Sequence, residues 1–351
     1  MITLTPLTQA HIIGACISYL IGVFIVPFVI EFSQKEGLVD LPNERKIHKN
    51  PISRLGGIAI WTSAMLTFLF LVLMNYYPYG SLLSGILLGG SLMFLLGLVD
   101  DIYNLDAKFK LVIQLSIATI VYLLGVQIDT IFNPFGGVIH LGIFSYPITL
   151  MWIVGISNAV NFIDGVDGLA GSVISVSSIT LALIAVAVTP AQPITALIAF
   201  ILAGSVLAFL TFNFNPAKIF MGDSGALFSG FLLATLSIAG VMKGAALAVL
   251  LPFLVLAVPI IDITFSTLRR LMKGKSPFVA DAEHIHHKLL KAGFSQKITV
   301  AILTSIAIAG GALATYFTGT LQNYFIYIAV LILIMVVLSV ISVLTKPKEQ
   351  E

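Results

Sequence analysis

Long apolar stretches separated by short polar segments follow one another along almost the whole chain. A transmembrane helix needs about 20 predominantly apolar residues. Stretches of suitable length fall at about 10–32, 56–75, 81–99, 109–126, 146–160, 168–188, 194–212, 224–241, 245–267, 298–318 and 323–345. The pattern therefore predicts an all-α integral membrane protein, a polytopic bundle of about 11 transmembrane helices that forms a single domain over residues 1–351.

Composition supports this class of protein. The chain has 351 residues, of which 58% are hydrophobic and 10% are charged, whereas a soluble domain carries about 25% charged residues. Too little polar material is present to cover a separate water-facing domain. The single cysteine, Cys16, cannot form an internal disulfide.

The basic residues predict how the chain is oriented in the membrane. If the N-terminus lies outside and the chain crosses eleven times, all of the 18 Lys and Arg residues except Lys243 fall on one side. Cytoplasmic loops are enriched in Lys and Arg. We therefore expect a multi-pass plasma-membrane protein with a cytoplasmic C-terminus and a long cytoplasmic loop at about 268–297.

Acidic residues and histidines collect on the same predicted cytoplasmic side. Placing a carboxylate at membrane depth costs about 2.5–3.5 kcal/mol on insertion scales. A chain that bears this cost repeatedly is expected to use the charges for chemistry or transport. The residues concerned are Asp100, Asp101, Asp164, Asp167, Asp223, Asp262, Asp281, His284, His286 and His287.

Two of these groups follow predicted helices directly. Asp100 and Asp101 end the third stretch, either as a metal-linked pair or general base, or as a solvated helix end. Asn161 precedes an Asp-Gly-x-Asp-Gly motif that contains Asp164 and Asp167. Its glycines allow the backbone to approach a ligand closely, and Asp167 is placed to cap the following helix.

Asn213 lies ten residues before Asp223 in a Met-Gly-Asp-Ser-Gly motif. Asp223 is placed to cap the eighth predicted helix. It is also the first choice for a Mg²⁺ ligand, because this cation prefers carboxylate oxygens and substrate phosphates. Lys49 and Arg54 precede a Gly-Gly pair and suit either an anion site or an anchor at the membrane surface.

The His-Ile-His-His motif contains His284, His286 and His287 in the long basic loop. Histidine-rich segments often bind zinc, but no cysteine or second histidine cluster completes such a site here. Contact with phosphate oxygens suits the basic surroundings better, and an ordinary polar loop is the alternative.

Together, from about residue 35 to 290, these ordered motifs resemble the polyprenyl-phosphate N-acetylhexosamine-1-phosphate transferase family. The resemblance implies a helical membrane bundle with a cytoplasmic active site. Such enzymes transfer a sugar-1-phosphate from a UDP-sugar to a membrane polyprenyl phosphate such as undecaprenyl phosphate, releasing UMP. They use Mg²⁺, with Mn²⁺ as an alternative. The family also implies a homodimer, and no nucleic-acid partner is expected.

The motifs and this resemblance also predict roles for individual residues. Asp223 is expected to hold the metal together with Asp101, and Asp100 is expected to act as the base for the lipid phosphate. Catalytic roles are predicted for Asp100, Asp101, His284, His286 and His287. Substrate binding is predicted for Lys49, Arg54, Asn161, Asp164, Asp167 and Asn213.

Two motifs suggest the branch of the family. Pentapeptide translocases of peptidoglycan synthesis typically contain Pro-Thr-Met-Gly-Gly and three contiguous histidines. This chain has Ser-Arg-Leu-Gly-Gly at 53–57 and His-Ile-His-His at 284–287, which resemble the branch that uses UDP-N-acetylglucosamine. The translocase is the first alternative. An ion-coupled transporter is the second, although the sequence has no convincing internal repeat of the kind that many transporters contain.

Overall fold

The structure, a computed structural model, describes residues 6–40, 51–75, 81–132, 137–188, 191–241, 250–272 and 284–317. Lys49, Asp281 and the predicted stretch 323–345 lie outside the described residues. Eight helices in the described part are long and apolar enough to cross a membrane. The prediction of a helical membrane protein is confirmed.

Most predicted stretches correspond to one helix each, and their bounds agree to within a few residues. Helices α1 to α8 are Pro6–Lys35, Gly56–Leu73, Ser81–Tyr103, Ala107–Leu123, Ser145–Ile163, Leu169–Ala187, Pro193–Asn213 and Gly222–Leu236. Helices α9 to α12 are Leu250–Val255, Ala257–Met272, Ile285–Lys291 and Gln296–Phe317. A short π-helical segment, Ser237–Val241, continues α8.

The predicted ninth stretch, 245–267, differs from the structure. In its described part, from residue 250 onward, it forms two helices, α9 and α10, that meet at Leu256. Pro259 explains the break, because proline has no N–H and its ring clashes with the carbonyl of the residue four positions earlier, Val255. The helix α10 also continues to Met272, beyond the predicted boundary.

Two small antiparallel strand pairs accompany the helices. Strand β1 (Val39–Asp40) pairs with β2 (Ile52–Ser53), and β3 (Thr130–Phe132) pairs with β4 (Val138–His140). The β2 strand continues into a second contact, in which the amide of Phe220 donates to the carbonyl of Ser53 at 2.7 Å. The segment before α2 is thereby joined to the segment before α8.

Helix α8 lies at the centre of the bundle. Every residue from Ser224 to Leu236 is buried, and the helix packs against α2, α3, α5, α6 and α7. The C-terminal ends of α3, α5 and α7 meet the N-terminal ends of α6 and α8 around one cavity. The acidic motifs at these helix ends therefore share one face of the bundle.

Two glycines allow α2 and α3 to touch the backbone of α8. A Cβ atom added to Gly57 would lie 2.2 Å from the amide nitrogen of Gly225. A Cβ atom added to Gly97 would lie 2.5 Å from the carbonyl carbon and oxygen of Asp223. These contacts fix the height and rotation of the first turn of α8, which carries Asp223.

We expect Gly97→Ala to destabilise the protein, because the new methyl group meets backbone that has no room to move. Overpacking of this kind typically costs about 1–3 kcal/mol. The thermal unfolding midpoint of the purified protein in detergent should fall by several degrees. Gly155→Ala is the matched control, since a Cβ atom there has nothing within 4 Å. Equal midpoints for the two variants would contradict this description of the α3–α8 contact.

Candidate active site

The N-terminus of α8 is held by a carboxylate from another helix. Asp101 in α3 accepts hydrogen bonds from the amide of Asp223 at 2.8 Å and from the amide and hydroxyl of Ser224 at 3.0 and 2.7 Å. A carboxylate at this position stabilises the free amides and the positive end of the helix. The prediction that Asp223 caps α8 is wrong, because no side chain of the helix itself forms a capping bond.

Lys110 in α4 joins two of the predicted carboxylates. Its Nζ donates to Oδ2 of Asp100 at 2.6 Å and to Oδ2 of Asp223 at 2.7 Å. The other oxygen of Asp100 accepts from the amide of Leu105 at 2.7 Å. The adjacent carboxylates of Asp100 and Asp101 therefore point to different partners, and one ammonium group offsets the repulsion between Asp100 and Asp223.

Helix α5 supplies a second hydrogen bond to the carboxylate of Asp223. The side-chain amide of Asn161 donates to its Oδ1 at 3.0 Å. One turn further into the bundle, Asn158 donates to Oε1 of the buried Gln114 of α4 at 2.8 Å. This second polar pair fixes α4 against α5, so Lys110 and Asn161 approach Asp223 together.

The Asp-Gly-x-Asp-Gly loop is bonded to the segment that follows α7. Oδ2 of Asp167 accepts from the side chain of Asn215 at 2.9 Å and from the amide of Ala217 at 3.2 Å. The predicted capping of α6 by Asp167 is therefore wrong: the residue before the helix is Gly168, with φ of 80° and no side-chain cap. Instead, Asn213 accepts from the amide of Gly168 at 2.9 Å.

Asp164 lies among other acidic groups. Burial, and then the negative charges of Asp223, Asp101 and Asp167, raise the pKa of Asp164 well above its ordinary value. The cavity wall therefore carries more negative charge than its own cations offset. A bound cation or a proton would relieve this repulsion.

The histidine motif is anchored by a carboxylate within α10. The side chain of Asp262 accepts from Nδ1 of His284 and from the amide of Ile285, both at 2.7 Å. The ring of His284 stacks on that of Phe162, with centroids 5.3 Å apart. These contacts dock α11 against the end of α5.

His286 packs beneath the acidic loop. It is 2% exposed, and a Cβ atom added to Gly165 would lie 2.5 Å from its Nε2. This Nε2 atom is buried and has no hydrogen-bond partner among the described residues. Burial, and then the charge of His287, lower the pKa of His286 to about 4. The ring is therefore neutral at physiological pH.

A cavity of about 840 Å³ lies between these groups. Asp40, which forms an ion pair with Arg54 at 3.7 Å, also lines it. Asp100, His284 and His286 are not among the lining residues. His286 packs against Gly165 and His287, which do line the cavity. The predicted site residues that do line the cavity are Arg54, Asp101, Asn161, Asp164, Asp167, Asn213, Asp223 and His287.

Sequence reasoning missed three contributors to this region. Lys110 enters the sequence analysis only through the distribution of basic residues, although a lysine that begins the apolar run Leu111-Val112-Ile113 is itself a signal. Asn215 and Gln296, which lines the cavity from the start of α12, gave no signal because single amides are common in loops. Asp262, by contrast, is among the carboxylates that the sequence singles out, and the structure pairs it with His284.

The bundle and its acidic cavity define a polytopic membrane protein with a polar site at one end of its helices. The sequence matches the model of glycosyl transferase family 4 over residues 83–241. Together with the relatives described next, this match shows that the chain belongs to glycosyl transferase family 4.

Similar proteins come from several bacteria. A probable undecaprenyl-phosphate N-acetylglucosaminyl 1-phosphate transferase of Bacillus subtilis is 33% identical over 294 residues, which cover 83% of this chain and 80% of the relative. A decaprenyl-phosphate N-acetylglucosaminephosphotransferase of Mycolicibacterium smegmatis is 31% identical over 97% of this chain and 90% of its own length. An undecaprenyl-phosphate alpha-N-acetylglucosaminyl 1-phosphate transferase of Salmonella typhi is 30% identical over 83% of this chain and 81% of its own length.

The pKa of His286 predicts how the docking of α11 depends on pH. A free histidine titrates near 6.5, and the docked one near 4, so protons bind preferentially to the undocked state. The contribution of His286 to docking is complete above about pH 6.5 and is lost as the pH falls towards 4. Hydrogen-exchange protection of residues 285–291, corrected for intrinsic rates, should fall over this range.

His286→Gln is the control, because glutamine does not titrate. Its protection should change less with pH than that of the wild-type protein. The same pH dependence in both proteins would contradict the assignment to His286.

Proposed function

We propose that this protein transfers N-acetylglucosamine-1-phosphate, or a related N-acetylhexosamine-1-phosphate, from a UDP-sugar to undecaprenyl phosphate and releases UMP. The product is the first lipid-linked intermediate of a cell-envelope polysaccharide. The observation that carries the proposal is the convergence of Lys110 and Asn161 on Asp223 at the wall of an acidic cavity. The names of the three relatives support the choice of sugar and acceptor lipid.

The size and position of the cavity suit two different substrates. Its volume of about 840 Å³ lies in the range of small-molecule sites, about 300–1,000 Å³. It opens at the ends of membrane helices, where the phosphate of a membrane lipid would be located. A nucleotide sugar from water and a lipid phosphate from the bilayer can therefore meet at one wall.

The proposed chemistry is an attack of a lipid phosphate oxygen on the β-phosphorus of the UDP-sugar. A new P–O bond forms, and the bond between the β-phosphorus and the oxygen of UMP breaks. Repulsion between two anions is the main obstacle, and fixed positive groups offset it. Lys110, which is bonded to Asp223 but is not itself a lining residue, provides one such group, and Arg54 lines the cavity. His287 lines it too and is predicted to contact phosphate oxygens.

The role of Asp100 as the base for the lipid phosphate remains a prediction. Both oxygens of Asp100 accept hydrogen bonds, one from Lys110 and the other from the backbone amide of Leu105. These bonds support a role for Asp100 in positioning Lys110. Asp101 similarly supports the first turn of α8 with both oxygens. A direct displacement needs neither residue as a nucleophile, and we favour it.

We also propose Mg²⁺ as the cofactor, with Asp223 as its first ligand. Within the described part of the chain, no three Asp, Glu, His or Cys side chains come together closely enough to hold a metal by themselves. This fits Mg²⁺, which usually binds through one or two carboxylates together with substrate phosphates. When bound, it would neutralise charge on the pyrophosphate. The excess of carboxylates along the cavity wall supports a cation there.

For the topology, we propose eleven spans with the cavity and the C-terminus on the cytoplasmic side of the plasma membrane. The eight apolar helices account for eight of the predicted stretches. The 17-residue α4 and the α9–α10 pair account for two more. The stretch 323–345 would complete the bundle.

The activity is tested with purified protein, undecaprenyl phosphate, Mg²⁺ and radiolabelled UDP-N-acetylglucosamine. We expect labelled lipid and equimolar UMP. Lys110→Met should reduce the rate roughly 100-fold or more, as the loss of a group that stabilises phosphate charge does in other enzymes. Lys108→Met is the matched control, because this neighbouring lysine of α4 is exposed, and it should retain activity.

Other outcomes of this assay have defined meanings. Labelled lipid from UDP-N-acetylmuramoyl-pentapeptide alone would replace the proposed donor and move the protein to peptidoglycan synthesis. No product from either donor would contradict the proposed function. Equal rates for the two lysine variants would contradict the role given to Lys110.

The metal requirement gives a separate prediction. EDTA should abolish transfer and added Mg²⁺ should restore it. Asn161→Ala removes the hydrogen bond that orients Asp223, so it should raise the Mg²⁺ concentration for half-maximal rate by about 10–100-fold. Unchanged activity in EDTA, or an unchanged Mg²⁺ requirement in the variant, would contradict Asp223 as the ligand.

A further inference from the structure

The two glycines of the Asp-Gly-x-Asp-Gly motif differ in their backbone conformation. Gly168, the second glycine, has φ of 80°, in the left-handed region that glycine adopts more readily than other residues. Gly165, the first glycine, does not have a positive φ. An alanine could adopt the backbone conformation of Gly165, so the reason for a glycine there lies in its surroundings.

One side chain occupies the space beside Gly165. A Cβ atom added there would lie 2.5 Å from Nε2, 3.1 Å from Cε1 and 3.5 Å from Cδ2 of His286. The three nearest atoms therefore all belong to a single ring. The edge of this ring lies against the backbone of Gly165, and only a residue without a Cβ atom allows so close an approach.

The ring of His286 is itself held in place by its neighbours. It lies within 6° of parallel to the ring of His284, with centroids 5.8 Å apart, and its centroid is 4.2 Å from that of His287. Nδ1 of His284 is bonded in turn to Asp262 of α10 at 2.7 Å. A buried ring packed in this way has little room to move, so it can act as a rigid support.

The position of His286 does not suit contact with a substrate. The residue is 2% exposed, it does not line the cavity, and its Nε2 has no hydrogen-bond partner among the described residues. By contrast, residues 164–167 and His287 all line the cavity. The ring therefore meets the cavity wall through the loop against which it packs.

We propose that His286 is a positioning residue, which supports Gly165 and thereby fixes the neighbouring Asp164 in the wall of the cavity. This role differs from the catalytic role that the sequence predicts for His286. It rests on the proposed function, because binding of the UDP-sugar beside this loop is the property that the support would affect.

The shape of the ring, rather than its polarity, explains the contact. A buried nitrogen without a hydrogen-bond partner destabilises a folded protein, so Nε2 does not account for the docking of His286. A direct contact with a phosphate oxygen would require the ring to leave Gly165 and its stack with His284. The packing of the ring opposes this movement.

The test combines two substitutions with opposite effects on the contact. Gly165→Ala adds a methyl group that meets the ring, and His286→Ala removes the ring. KM for UDP-N-acetylglucosamine and kcat are measured for the wild-type protein, both single variants and the double variant. The control pair is Gly165→Ala with His287→Ala, because the atoms nearest to a Cβ atom at residue 165 belong to His286.

We expect Gly165→Ala to raise KM by about tenfold or more, as overpacking displaces the loop. His286→Ala should raise KM by about threefold or more, because it leaves a cavity behind the loop. In the double variant the new methyl group enters the space left by the ring, so KM should be at least about threefold lower than in Gly165→Ala alone. In each variant kcat should change less than KM, a split that a general loss of folded protein would not produce.

His286→Leu gives a second test that does not depend on an alanine at residue 165. Leucine fills much of the space of the ring without its nitrogens. KM for His286→Leu should therefore lie closer to the wild-type value than KM for His286→Ala. Equal KM values for these two variants would overturn the proposal, because the nitrogens of the ring would then be what the site requires.

Two further results would overturn the proposal. One is a double variant whose KM equals or exceeds that of Gly165→Ala, since independent defects add. The other is an equal lowering of KM by His287→Ala in the Gly165→Ala protein.

If the wild-type protein makes no labelled lipid, the proposed function fails, and amide hydrogen exchange of residues 164–168 decides the role of His286 separately. Protection lost in Gly165→Ala and restored in the double variant would support the contact, and protection that is not restored would overturn it.

Discussion

The first turn of α8 is the point on which the other parts of this structure depend. Its free amides need an acceptor, and within a membrane protein an unsatisfied helix end is expensive. Asp101 provides the acceptor from α3, and the glycines of α2 and α3 bring both helices close enough for this contact to form. With that turn fixed, the carboxylate of Asp223 lies where both Lys110 and Asn161 donate hydrogen bonds to it.

This arrangement explains how a largely apolar bundle accommodates so many carboxylates. Each is placed at a helix end or beside a specific donor, and few face another carboxylate directly. Asp100 has Lys110, Asp167 has Asn215, and Asp262 has His284. Asp164 is the exception, since its surroundings are acidic. The remaining unbalanced charge lies at the cavity wall, where an anionic substrate together with a cation would be bound.

Much of the fold follows from hydropathy alone. The described helices match the apolar stretches because each must satisfy its own backbone in the membrane. The split between α9 and α10 depends on Pro259, whose effect a hydropathy pattern does not contain. In the site, the acidic motifs and histidines were visible, since charge in an apolar chain stands out. Their partners were not: the capping of α8 by Asp101 and the bonds of Asp167 to Asn215 join residues that are distant in sequence. Local rules assigned both caps to the wrong residue.

The strand-like contact between residues 52–57 and 219–221 affects how such a site can evolve. The bonds that join the two segments run from backbone to backbone, with Phe220 donating to Ser53 and Gly56 donating to Phe220. Side chains such as Arg54 can therefore be exchanged without disturbing the path of the chain. A cavity framed in this way can acquire a new ligand preference by a few substitutions, while the positions of its reacting groups are inherited unchanged.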